Sequence, residues 1–104
     1  MLERPGALLS DLVDHLRYHT LLTPAESELV ICTAARAANA DIIWNAHVRL
    51  GLQAGTREAA LRAVDRHGPL DGLMADEALI IHFGRELLET PRVSDDTFNT
   101  VRAR

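Results

Sequence analysis

Apolar residues in this chain recur every three to four positions in blocks separated by turn-forming residues, a rhythm that predicts helices rather than strands. Over residues 7–19, Leu8, Leu9, Leu12, Val13 and Leu16 share one side of a helix. Thr23, followed by Pro24 and Glu26, makes a capping box with proline at the first helical position, so a second helix starts there. Its apolar arc holds Val30, Ile31, Ala34, Ala35, Ala37 and Ala38. A third helix over residues 40–54 stops at Gly55, with Ile43, His47, Leu50, Gly51 and Ala54 on one stripe and Trp44 and Val48 beside it. Thr56 is placed to cap a short helix that ends near Arg66, with Leu61 and Val64 inward, before His67-Gly68-Pro69 breaks the pattern. Asp71 is placed to cap a longer helix through Leu73, Leu79, Ile80, Phe83, Leu87 and Leu88, ended by Thr90-Pro91. Ser94 caps a last segment, with Asp95 and Asp96 in its first turn. The expected fold is all-α, with about five to six helices in one domain over residues 1–104.

Two ionisable residues interrupt these apolar faces. Glu28 stands at the edge of the second helix's arc, with Cys32 and Asn39 close to it and Arg36 further round. His47 falls in the middle of the stripe expected to be buried on the third helix. A lone inward histidine reads first as a core residue donating to a backbone carbonyl. An inward carboxylate on the preceding helix raises a second reading, a coupled acid–base pair in a largely dry hollow. Burial and pairing push the two groups in opposite directions, and the residues alone leave open which wins. Trp44, one turn from His47, reads as a pocket wall or as packing. Cys32 reads as a small buried hydrophobe.

At these residues the chain resembles the carboxymuconolactone decarboxylase-like family, which also contains the alkylhydroperoxidase D (AhpD)-like proteins. The resemblance lies in Leu22-Thr23-Pro24 through Glu28-Leu29-Val30-Ile31, in Asp41-Ile42-Ile43-Trp44-Asn45-Ala46-His47-Val48-Arg49, and in VSDDTF at residues 93–98. It leaves residues 1–22 as a lead and N-terminal helix and makes residues 23–104 the family-like region. It implies an AhpD-like helical domain, catalytic roles for His47 and Glu28, a pocket supported by Trp44, Cys32, Asp41 and Arg36, and no cofactor or metal. Members with peroxidase activity carry a C-x-x-C pair whose positions here are Ala40 and Ile43, and neither side chain can form a thiolate. The decarboxylase branch lacks that pair and keeps the Glu, Trp and His positions, so it is the better fit. Thr33 stands where the family commonly has arginine and Asp41 where glutamate is usual, and both changes alter the polar wall of the pocket. Relatives assemble as trimers or hexamers and often continue into a further apolar helix past the point matching Arg104. The resemblance therefore implies either a shortened variant or packing supplied by neighbouring subunits, and a homo-oligomer is expected.

Composition narrows the partners. Hydrophobic residues make up 47% of the 104 and aromatics only 4%, so small and aliphatic side chains must do most of the packing. A formal charge of −4 argues against nucleic acid, which needs a basic face. No apolar run approaches a membrane span and nothing resembles a secretion signal, so a cytoplasmic protein is expected. Asp11, His15 and His19 form a ladder able to face a metal from one helix, but no further ligands cluster with them. His82 reads as structural, and Arg102 and Arg104 as a solvated basic end. Three functions stay open. The first is a cofactor-free enzyme that decarboxylates a small organic acid or lactone substrate, or moves a proton on it. The second is a hydroperoxide-handling protein that uses Cys32, and the third a non-catalytic oligomer that binds a ligand.

Overall fold

The computed structural model describes residues 21–89 and 95–104. All regular structure among them is helical: α1 Pro24–Ala37, α2 Asp41–Ala54, α3 Glu58–Asp65, α4 Ala75–Glu89 and α5 Asp95–Ala103. The expected N-terminal helix with its Asp11, His15 and His19 ladder, the Thr90-Pro91 stop and the Ser94 cap lie outside the described residues. Among the described residues no cluster suited to a metal is present, and no helix is long and apolar enough to cross a membrane.

Helix α1 organises the rest. Its start is the capping box: Glu26 N–H donates to Thr23 Oγ1 at 3.1 Å and Thr23 N–H donates to Glu26 Oε1 at 3.0 Å. The chain leaves α1 through Ala38 and through Asn39, whose φ of 54° is left-handed and suits an asparagine. It then returns antiparallel as α2, which Gly55 ends at φ 102°. Helix α1 packs on α2, on α3 and on α4, while α5 packs on α4. The core lies where Val30 and Cys32 of α1 meet Leu61 and Val64 of α3 and Ile80 and Phe83 of α4.

Contact on several sides changes which residues of α1 are buried. Ala37 and Ala38, expected inward, are exposed beside the turn, whereas Ser27, Leu29 and Thr33 are buried. Thr33 satisfies its hydroxyl by donating to the Leu29 carbonyl at 2.7 Å. On α4, Ile81 is as fully buried as Ile80.

Three expected caps and ends work differently. Helix α3 begins at Glu58 behind Arg57, without a side-chain cap, and the Thr56 hydroxyl instead donates to the Ala25 carbonyl on α1 at 2.8 Å. Asp71 lies in a turn ahead of α4, and the Met74 N–H at that helix's start is taken by Glu77 at 2.9 Å. Arg57 holds the same carboxylate in two bonds of 2.7 and 2.8 Å, tying α3 to α4 and keeping Glu77 below the usual carboxylate range. Arg104 is not a free basic end. It donates to Glu26 and to the Leu21 carbonyl and lies 3.3 Å from Asp76. Burial alone would raise the Glu26 carboxyl, but Arg104 and Thr23 outweigh it and hold the group low. His82 is exposed and pairs with Glu86 one turn on, as a surface residue would.

Candidate active site on the α1–α2 seam

The hairpin brings the six expected site residues onto one seam. Glu28, Cys32 and Arg36 follow one another turn by turn along α1. Across the seam α2 runs the other way, so His47, Trp44 and Asp41 descend in step with them. The structure joins five of them into two groups, with Cys32 between.

The first group is the pair itself. His47 Nδ1 lies 2.7 Å from Glu28 Oε2, a hydrogen-bonding distance between side chains 19 positions apart. An ionised carboxylate has only acceptor sites, so with Glu28 ionised Nδ1 would donate in this contact and Nε2 of a neutral ring would be left as an acceptor. The side chains are 13% exposed for Glu28 and 28% for His47. This corrects the expectation that His47 sits in the middle of a buried face. Gly51 is the fully buried residue of α2, with Trp44 and Val48 partly covered on the same side. His47 stands at the border of that seam, and beyond it Ile43 and Leu50 are 47% and 43% exposed. The dry hollow expected around the pair is therefore not closed among the described residues. Neither residue lines the hollow of about 230 Å³ between Ala25, Leu29, Thr56 and Met74, nor the two hollows beside Arg104.

Arg36 anchors the second group. Its guanidinium stacks on Trp44 at 4.5 Å from the ring centre and lies 3.5 Å from Asp41 and 3.4 Å from Asp65. Its Nε is buried and makes no hydrogen bond, so the link to Asp65 is an ion pair without hydrogen-bond geometry. With two carboxylates and an aromatic face already around it, Arg36 holds Trp44 in place and is not available as a substrate anchor. Arg49, on α2, is exposed.

Cys32 lies between the two groups and faces the core with no exposed surface. Burial, reinforced by the Glu28 charge, pushes its thiol up to about 12. At neutral pH the thiolate fraction is then roughly 10⁻⁵, and the thiolate is the reactive form. In the folded protein Cys32 is expected to resist thiol reagents and peroxide and to react only on unfolding. Rapid labelling of native protein at pH 7, read by mass spectrometry, would contradict this. Ala40 and Ile43, at the positions of the family's cysteine pair, are the N-cap of α2 and a half-exposed residue one turn before His47.

Two neighbours of the pair were not singled out as site residues from the sequence. Gly51, one turn after His47, would bring an added Cβ to 3.2 Å from Thr56 Oγ1 and 3.5 Å from Glu28 Cβ. The signal was present, because an isolated glycine on the inner stripe of a helix marks close packing. The second is Thr56, whose cross-helix bond has no local signature. Compared with known proteins, the chain matches no family model, no curated protein and no solved structure.

Proposed function

We propose that the chain is a cofactor-free acid–base enzyme that decarboxylates a small organic acid or lactone, or moves a proton on one. The observation that carries the reading is the 2.7 Å contact between His47 Nδ1 and Glu28 Oε2. A carboxylate on one ring nitrogen orients the imidazole and leaves the other nitrogen to exchange a proton with substrate. When the bond to the substrate carboxylate breaks, its electron pair stays on carbon as a carbanion or dienolate. Once the ring has taken a proton from water at Nε2, that nitrogen delivers it to form the new C–H bond, and Glu28 stabilises the imidazolium while it exists. The resemblance to carboxymuconolactone decarboxylases supplies the substrate class, and the buried Cys32 thiol weighs against the peroxide route.

A homo-oligomer belongs to this reading. Ile43 and Leu50, with exposed Ala46 and Ala54, form an uncovered apolar strip directly beside His47. A second copy seated there would exclude water from the pair and close a substrate pocket that the described residues leave open. A non-catalytic oligomer would bury the same strip, so assembly alone does not separate the two.

Chemistry separates them. Wild-type protein in D₂O is offered a panel of small carboxylated lactones and 3-oxo acids. The expected result is CO₂ release, with one solvent deuterium delivered either to the carbon that lost the carboxylate or, from a dienolate, to the far end of its conjugated system. Folded protein that releases no CO₂ above buffer from any of them would favour the non-catalytic oligomer.

A further inference from the structure

Next to the pair, one residue bonds to both α1 and α2. Thr56 donates its backbone N–H to the Gly51 carbonyl at 2.8 Å, closing the end of α2. Its hydroxyl donates to the Ala25 carbonyl at 2.8 Å, in the first turn of α1 and 31 positions away. Each end of this strap is one turn from the pair: Gly51 is four residues after His47, and Ala25 three before Glu28. Between them the helices approach so closely that a methyl group on Gly51 would crowd Thr56 Oγ1 at 3.2 Å and touch Glu28 Cβ at 3.5 Å. The usual role for a threonine just before a helix is to cap it, and here α3 starts without any side-chain cap. The hydroxyl is committed instead to the spacing of α1 and α2.

We infer that Thr56, with Gly51 beneath it, is a positioning residue that sets the axial register of α2 on α1 and so keeps His47 Nδ1 within hydrogen-bonding reach of Glu28. The inference rests on the acid–base reading for its functional meaning, but the contact it concerns can be read without turnover. A 1 Å slip would stretch the 2.7 Å bond beyond hydrogen-bonding length, and a misplacement of that size is costly in catalysis.

The test follows the His47 ring nitrogens by NMR in the full chain at a pH where the ring is neutral. A carboxylate at Nδ1 favours the Nδ1–H form, whereas a free imidazole favours Nε2–H. In Thr56→Val, which keeps the shape but removes the donor, the ring is expected to shift toward the Nε2–H form, in the direction set by Glu28→Gln. Thr56→Ser, which restores the donor, should return it to the wild-type state. A folded Thr56→Val chain with wild-type ring signals would overturn the inference, as would Thr56→Ser behaving like valine. If Thr56→Val does not fold, Gly51→Ala decides: a shifted ring supports the strap, and an unshifted one overturns it. Should the wild-type ring show no Nδ1–H preference, the pair itself fails. If the ring responds as expected but no substrate turns over, the strap stands and the enzymatic reading falls.

Discussion

His47→Asn is expected to lower kcat by about 10²–10⁴-fold, the usual worth of a positioned general acid or base. Asparagine can still donate an amide N–H toward Glu28, so the carboxylate is not left without a partner when the imidazole is gone. It cannot, however, carry a proton to the substrate. Because the imidazole is 28% exposed at the border of the seam, its loss should leave the fold largely intact. The expected signature is a fall in kcat with little change in KM and a circular dichroism melt near that of wild type. A rise in KM with kcat preserved would instead make His47 a binding residue.

Gly84→Ala is expected to destabilise the protein, although alanine is the better helix former. Gly84 lies within α4, against Val30 and Thr33 of α1. An added Cβ would stand 2.8 Å from Thr33 Cβ, 3.0 Å from its Cγ2 and 3.3 Å from the Val30 carbonyl oxygen. None of these can yield easily. The carbonyl is backbone, and Thr33 is buried with its hydroxyl bonded to Leu29. Alanine's propensity advantage in a helix is about 1 kcal/mol, against an overpacking cost of about 1–3 kcal/mol. The contact below 3 Å places the cost at the upper end, for a net loss of about 1–2 kcal/mol. In a chain of this size that lowers the melting temperature by roughly 5–10 °C. Thermal denaturation of the two proteins checks it, and an unchanged or higher melting temperature would mean that α1 and α4 do not cross as described.

The features that could be read from the chain are those with a local cause. The Thr23 and Glu26 capping box and the Gly55 stop each depend on residues within a turn or two, and each stands where expected. The meeting of Glu28 with His47 was legible for a related reason: two inward polar residues on consecutive antiparallel helices have few other places to go. What stayed hidden depends on distant partners. Arg104 gripping Glu26 joins residues 78 apart, and no local pattern marks it. Thr56 looked like a cap because its neighbours suit one, and only the fold shows that Ala25 claims its hydroxyl. Hydrophobic periodicity also could not tell that α1 is covered on several sides while α2 leaves Ile43 and Leu50 open. That outcome is decided by the number of helices packed on each, not by the stripe on either.

The central claim is that Glu28 and His47 act as one unit, and a double-mutant cycle on kcat/KM tests it most directly. Glu28→Gln, His47→Asn and the combined variant are compared with wild type on whichever substrate releases CO₂. If the carboxylate works only through the imidazole, the combined variant should be no slower than His47→Asn alone. Losses that simply multiply would mean that the two side chains contribute independently, and the proposed pair would not be the catalytic device.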